Sequence, residues 1–390
     1  MAETITIIIG VLLVVVWLAY TAVITSLTAG WLRLLKKNLP DDTKSLKPPA
    51  ISIIIAARNE EKNIVSCLQS LNNQTYKHQF EVVVVDDHST DSTNEKILAF
   101  IRNSSTTGLH IRLIRNPGHM PGKKAALQKA ISMAEGEWIV TTDADCIAPS
   151  GWLETISKSI CIGNRQMFSA PVLLEPVSGM FQKFQQLEFI SLIASGAGAI
   201  EIGKPIMCNG ANLIFKKSSF SELLQSTQKQ DGDQWVSGDD IFLMMNIKKQ
   251  YGSKSIGFIA NHAATVYTPP QPTVAGFLMQ RIRWASKTRG YSDWFTLLVA
   301  GLVFSTSFLL MAGTVLSLFF HSLLPYLAGA WGLKLLVDFP LLYFASHFFG
   351  KTKLLWHYPL FQVVYILYIS IVAPVAQIVN ISWKGRRWKK

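Results

Sequence analysis

The sequence predicts an α/β domain joined to membrane helices. The domain is an open, mostly parallel sheet with helices on both faces. About four transmembrane helices accompany it, one N-terminal and about three C-terminal. Three observations predict this. Long charge-free stretches lie at both ends of the chain, short β-branched runs alternate with helical stretches in the middle, and most of the charge sits in that middle segment.

The charge-free stretches are residues 4–32, 294–333 and 354–383. A membrane-spanning helix needs roughly 20 apolar residues. The first and last stretches each fit one span. The 40 residues of 294–333 hold more than one, broken near His321 and Pro325, the second continuing past Lys334 and Asp338 towards Phe349. The first stretch does not read as a cleaved signal peptide: its apolar run is too long, Glu3 stands where a basic residue belongs, and no small-residue cleavage site ends it. Arg33, Lys36 and Lys37 follow it directly, and Lys351 and Lys353 lie between the last two helices. Both placements predict that the central domain faces the cytoplasm. The tail WKGRRWKK disagrees with a four-span count. Either one C-terminal segment is re-entrant or interfacial, or the count differs by one.

These signals divide the chain into an N-terminal membrane helix (1–35), a cytoplasmic domain (36–272), an amphipathic interfacial helix (273–292), C-terminal membrane helices (293–383) and a basic tail (384–390). The net charge of +12 invites a nucleic-acid reading. Residues 36–293, however, hold 28 basic and 23 acidic residues, and the remainder holds nine basic against two acidic. Most of the excess therefore borders membrane, and a nucleic-acid partner is not expected. Only 16% of residues are charged and mean hydropathy is +0.27, which excludes disorder. Cys67, Cys146, Cys161 and Cys208 show no C-x-x-C pairing, which argues against a disulfide scaffold and a structural zinc site.

Within the domain, strands are predicted at 51–56 (ISIIIA), 81–85 (EVVVV), 109–115 (LHIRLIR) and 137–141 (EWIVT). Helices are predicted at 60–72, 92–103 and 123–134. Strand and helix in alternation argue for βαβ units. In such sheets ligands bind outside the carboxyl ends of the strands, and acidic residues stand there. Asp86 and Asp87 end VVVVDD and suit a ribose or base edge. Asp91 in the next turn suits the same role or a helix cap. Asp143 and Asp145 end WIVTTDAD, one residue apart, so that side-chain alternation aims both the same way. Two such carboxylates need a neutralising cation, and hard oxygen ligands suit Mg²⁺ or Mn²⁺. Asp239 and Asp240 open the apolar helix IFLMMNI, where a carboxylate is either a cap or a proton acceptor. Lys123, after Pro121-Gly122, opens a helix that suits an anion. Gln280, Arg283 and Trp284 lie in FLMQRIRWASKTR, which is amphipathic, basic, and placed directly before the membrane run.

Taken in order, ISIIIAARNEE, VVVVDDHSTDST, GKKAALQKA, TTDAD, CNGANLIFKK, SGDDIFL and QRIRW resemble the family 2 glycosyltransferases, the group of cellulose, chitin and hyaluronan synthases and ceramide glucosyltransferase. Each piece is weak alone, while the ordered set flanked by membrane helices is specific. The resemblance implies a GT-A fold and inverting transfer from a nucleotide-diphosphate sugar, a UDP-sugar by expectation, with Mg²⁺ or Mn²⁺ as cofactor. It implies that Asp86 and Asp87 contact base and ribose, that Asp143 lies near ribose and sugar, and that Asp145 with Asp143 holds the metal. Lys123 would lie near the nucleotide, and Asp240 would be the general base. Gln280, Arg283 and Trp284 would hold the diphosphate and floor the acceptor site. Ala56, Gln128 and Asp239 depart conservatively from the family pattern, standing where Pro, Asn and Glu are usual. The expected acceptor is membrane-associated and lipid-linked. A processive polysaccharide synthase is the alternative, and a non-catalytic nucleotide-sugar sensor is the alternative of another class. Residues 172–204 and 209–217 are expected to shape the acceptor side. No pattern in the sequence indicates an oligomeric state.

Overall fold

The structure is a computed structural model that describes residues 2–37, 47–104, 109–116, 123–162, 164–227, 239–379, 382–383 and 386–387. The chain divides into two compact units. One is Leu34–Val177 with Met207–Pro270; the other is Met1–Arg33, Ser178–Ile206 and Gln271–Lys390.

The first of these holds a seven-stranded sheet. Its alternating half runs β1 (Ile51–Ala57), α2 (Ile64–Asn72), β2 (Phe80–Asp86), α3 (Thr93–Ser104), β3 (His110–Arg115), α4 (Lys123–Met133) and β4 (Trp138–Asp143). After α5 (Trp152–Ile162) come β5 (Met167–Ser169), β6 (Val172–Leu174), β7 (Leu213–Lys216), α7 (Lys217–Thr227), α8 (Asp239–Tyr251), β8 (Ile256–Phe258) and β9 (Val266–Thr268). The strand order is β3-β2-β1-β4-β7-β5-β8. The first four strands pair in parallel, β7 is antiparallel to both neighbours, and β8 returns parallel to β5. The sheet is thus mixed, with a parallel half that matches the sequence expectation. Ile53, Ile54, Ile55, Val82, Val83, Val84 and Val85 are all fully buried, because a parallel sheet is covered on both faces.

A polar network closes the amino end of this sheet. Ser52 Oγ donates to Glu81 Oε1 at 2.5 Å, and the Gly136 N–H donates to Ser52 Oγ at 2.7 Å. The Glu135 N–H donates to Glu81 Oε1 at 2.5 Å, and Arg112 on β3 pairs with Glu81 Oε2. Gly136 has no substitute here: a Cβ would lie 2.5 Å from Ser52 N and 2.6 Å from its hydroxyl. One carboxylate thereby ties together β1, β2, β3 and the entry to β4.

The second unit contains α1 (Ala2–Leu35), α6 (Met180–Glu201), α9 (Val274–Ala285), α10 (Trp294–Ser317), α11 (Leu324–Phe348) and α12 (Tyr358–Ile378). Among the described residues four segments are long and apolar enough to cross a membrane: Leu13–Leu35, Trp294–Ser317, His321–Phe348 and Thr352–Ile378. That is one N-terminal and three C-terminal, as expected. The helix α11 is continuous through Lys334, Asp338 and Pro340. Its charges are tolerated because they satisfy each other. Lys334 Nζ lies 2.6 Å from Asp338 Oδ2 one turn away and also reaches Tyr20. The Tyr20 hydroxyl donates to Asp338 Oδ1 at 2.5 Å, and the Gln362 amide donates to Oδ2 at 2.9 Å. Intramembrane charges face partners in this way, and here the cluster joins α1, α11 and α12.

Burial opposes the charged form of Glu81, but the hydrogen bonds from Ser52, Glu135 and Arg112 and the Arg112 charge outweigh it and lower its pKa. A lowered carboxylate contributes stability above its unfolded pKa and loses it as pH falls through the folded value. The melting temperature of the detergent-solubilised chain should therefore drop as pH falls below the ordinary glutamate value of about 4.3. Glu81→Gln should lower stability by about 3 kcal/mol at pH 7 and flatten that pH dependence, as read by melting curves between pH 3 and 7.

Candidate active site

The register of β1 with its two neighbours brings the acids to one sheet edge, one residue out of step. Ala57 pairs with Asp86 and Ala56 with Asp143, so both carboxylates stand at the carboxyl edge of adjacent parallel pairs. Asp86 is buried, accepting from the Ser89 N–H at 3.1 Å. Asp87 is 2% exposed, and the Asn116 amide donates to its Oδ1 at 2.8 Å. Arg58 Nη1 lies 3.9 Å from Asp87 Oδ2 and donates to its backbone carbonyl at 3.3 Å. Sequence reading did not single out Arg58 or Asn116. Their only signal was position, immediately after β1 and β3 at the same sheet edge.

The two loops leaving β1 and β2 are laced together. The Asn59 N–H donates to Ser89 Oγ, the Thr90 N–H to Asn59 Oδ1, and the Ser92 N–H to Glu61 Oε2. Asn59 and His88 hold positive φ values of 52° and 61°, in the left-handed region that non-glycine residues seldom occupy. Asp91 serves the cap, not the ligand edge. Its Oδ1 accepts from the Thr93 N–H at 3.0 Å and the Thr93 hydroxyl at 2.5 Å, and its Oδ2 accepts from the Glu61 N–H. Partial burial works against its charge, but these bonds prevail and lower its pKa.

Asp143 and Asp145 do converge, for a reason other than strand alternation. The strand β4 ends at Asp143 and residues 144–145 form a turn, so the turn swings Asp145 back towards Asp143. Oxygens of both carboxylates and Cys146 Sγ lie within 4.8 Å of one another. Burial and the two neighbouring carboxylates push the Cys146 thiol well up, and the same causes push up Cys67. Both thiols are therefore neutral at physiological pH, and the donors on offer are two half-buried carboxylates. That set fits a hard divalent cation such as Mg²⁺ or Mn²⁺.

Asp240 stands one residue inside α8. Its Oδ2 accepts from the Gly210 N–H at 3.0 Å and its Oδ1 from the Ile241 N–H at 2.9 Å. The Gly210 carbonyl in turn accepts from the Thr141 hydroxyl at 2.7 Å. Thr141 is on β4, two residues before Asp143. A single residue, Gly210, thus couples the position of Asp240 to the strand that carries the D-x-D pair. The same loop is anchored by Asn212, which accepts from Trp152 Nε1 at 3.1 Å and donates to the Pro171 and Ala264 carbonyls. Neither Thr141 nor Gly210 carried a chemical signal in the sequence. The backbone of Lys123 opens α4, while its side chain and Pro121-Gly122 lie outside the described residues.

Gln280, Arg283 and Trp284 belong to the other unit. They sit on α9, which Thr273 caps by accepting from the Gly276 N–H at 3.1 Å. All three are partly exposed. The buried residue of the motif is Arg281, which pairs with Glu188 of α6.

A family model described as glycosyl transferase family 2 matches residues 52–224. Over these residues the chain is similar to glycosyl transferase family 2. It is 35% identical over 107 residues to the glycosyltransferase AglE of Haloferax volcanii, covering 27% of this chain and 34% of that protein. It is 26% identical over 245 residues to a poly-beta-1,6-N-acetyl-D-glucosamine synthase of Staphylococcus epidermidis, covering 60% and 53%. The chain thus spans from about a third to about half the length of these two curated relatives. In fold it is similar to the solved mannosyltransferase PcManGT from Pyrobaculum calidifontis, with a TM-score of 0.54, 19% identity, and coverage of 92% of this chain and 99% of that one. That structure was solved in complex with GDP-Man and Mn²⁺.

The Thr141–Gly210–Asp240 chain makes one prediction. Thr141→Val keeps the shape and removes the hydroxyl donor. The Gly210 carbonyl then loses its donor, and stability should fall by about 1 kcal/mol, as read by melting curves of the detergent-solubilised chain.

Proposed function

We propose that this chain is an inverting glycosyltransferase that moves a sugar from a nucleoside-diphosphate sugar to a membrane-associated, lipid-linked acceptor. The observation that carries the reading is the convergence of three acid clusters on one strand edge. Asp86 and Asp143 end the strands on either side of β1, one residue apart in register, and Asp240 is tethered to β4 through Gly210 and Thr141. Separate acids can then take separate duties. Asp86 and Asp87 are assigned to the base and ribose, Asp143 to the ribose and sugar, and Asp145 with Asp143 to the divalent ion. When bound, that ion offsets the negative charge that develops on the departing diphosphate.

Asp240 is assigned as the general base. Its carboxylate takes the proton from the attacking acceptor hydroxyl as the new glycosidic bond forms and the diphosphate leaves. Attack opposite the leaving group inverts the anomeric centre. Lys123 is assigned to the nucleotide by its place at a helix N-terminus. By motif, the guanidinium of Arg283 suits the diphosphate and the indole of Trp284 an acceptor surface.

The four apolar helices support a membrane location. Arg33, Lys36 and Lys37 after α1, with Lys351 and Lys353 between α11 and α12, support a cytoplasmic catalytic domain. An acceptor at the membrane follows from that placement.

A panel of UDP- and GDP-sugars, tested with Mn²⁺ and the full chain in detergent, should reveal one that releases nucleotide. No release from any donor in membranes would sink the enzymatic reading in favour of a sensor. Radiolabelled donor should give one discrete lipid product by thin-layer chromatography. A polydisperse product by size exclusion would instead establish a processive synthase. Asp240→Asn should lower transfer by about 10²–10⁴-fold with nucleotide affinity nearly intact. Asp145→Ala should weaken Mn²⁺-dependent nucleotide binding by about tenfold or more, as read by calorimetry with and without the ion.

A further inference from the structure

Arg281 interrupts the Q-x-x-R-W motif with a residue the proposed chemistry does not use. It is the most deeply placed member, 5% exposed, against a Glu188 side chain that is 2% exposed. Its Nε donates to Glu188 Oε1 at 3.0 Å and its Nη2 to Glu188 Oε2 at 2.5 Å, a two-pronged pairing. The Tyr368 hydroxyl on α12 adds a third bond to Glu188 Oε1 at 2.8 Å. The remaining corner, Nη1, donates to Gln280 Oε1 at 2.5 Å. The guanidinium also lies over two aromatic rings, its central carbon 4.2 Å from the Trp284 ring centroid and 4.5 Å from that of Phe277. Phe277 in turn meets Tyr368 edge-on at 5.4 Å.

Three of the five guanidinium N–H donors are engaged by protein partners, and these contacts reach two residues the motif assigns to a substrate. The planar fork is what lets a single side chain hold a carboxylate, an amide and two rings together. A lysine ammonium has neither the plane nor the spread of donors. A buried ion pair is also a poor device for stability, since apolar residues of similar volume often serve as well. A pair whose cation grips Gln280 and stacks on Trp284 is better explained by orientation than by folding energy.

We propose that Arg281, clamped by Glu188 and Tyr368, is the positioning residue that holds Gln280 and Trp284 in the orientation that transfer requires. The inference rests on the reading that the motif serves transfer. It makes α6 and α12 part of the motif's support, so that the orientation of Gln280 and Trp284 is set from the apolar helices.

The test uses the full chain in detergent with the UDP- or GDP-sugar that the wild type turns over, and compares four variants. Arg281→Lys keeps the charge opposite Glu188 and loses the fork. The double variant Arg281→Met with Glu188→Gln removes both buried charges and leaves Tyr368 an acceptor. Each should melt close to wild type and bind the matching nucleoside diphosphate with Mn²⁺ with unchanged affinity. Each should also lose about 100-fold in kcat, the scale of a misplacement of about 1 Å, with donor KM unchanged. Either variant melting like wild type and transferring at the wild-type rate would overturn the proposal and leave the pair a purely structural one. Should the double variant fail to fold, Arg281→Lys alone decides by the same criteria. Arg283→Ala and Trp284→Ala separate the premise from the inference. If both transfer at the wild-type rate, the motif has no part in transfer and both readings fall. If they lose transfer while Arg281→Lys does not, only the positioning role is overturned.

Discussion

The carboxylate of Glu81 is the contact on which the placement of the acids depends. It accepts from Ser52 on β1 and from the backbone after α4, and it pairs with Arg112 on β3. Ser52 passes the constraint on to Gly136, at the entry to β4. Four parallel strands are thereby held in one register at their amino ends. Parallel strands of Ile and Val offer little to choose between registers, because every side chain is apolar and both faces are covered. A polar lock at one end supplies that choice. Its consequence appears at the other end, where Asp86 and Asp143 finish within one residue of each other in register.

From that edge outward, loops take over from strands. The turns after β1 and β2 hold each other through Asn59, Ser89, Thr90 and Glu61, with two residues in left-handed conformation. The turn after β4 folds Asp145 back on Asp143. The loop before β7 offers Gly210, whose two backbone groups bridge Thr141 and Asp240. Carboxylates that would repel each other are thus fixed by backbone donors. Asp143 and Asp145 converge, and their oxygens suit a hard divalent cation.

The apolar unit handles charge differently at two places. Lys334 and Asp338 satisfy each other with Tyr20 and Gln362, and every member of that cluster joins membrane helices. Arg281 and Glu188 also satisfy each other, but their contacts continue into Gln280 and Trp284. The first cluster is an assembly contact. The second connects helix packing to residues with a chemical assignment.

The sequence by itself determined the classes of element and the identity of the acids. Hydropathy and charge marked four spanning segments, because a membrane demands length and neutrality that can be counted. Alternating short and periodic runs marked the parallel half of the sheet, and the ordered motifs marked the resemblance that the family model finds over residues 52–224. Tertiary structure alone decided which neighbours each acid has. It assigned Asp91 to a cap and brought in Arg58, Asn116, Thr141 and Gly210. It grouped α6, which lies between two segments of the sheet domain, with the apolar helices. It also buried Arg281 and left Arg283 partly exposed. None of these follows from spacing along the chain, since hydrogen bonds between residues 69 or 93 positions apart exist only once the strands and helices have packed.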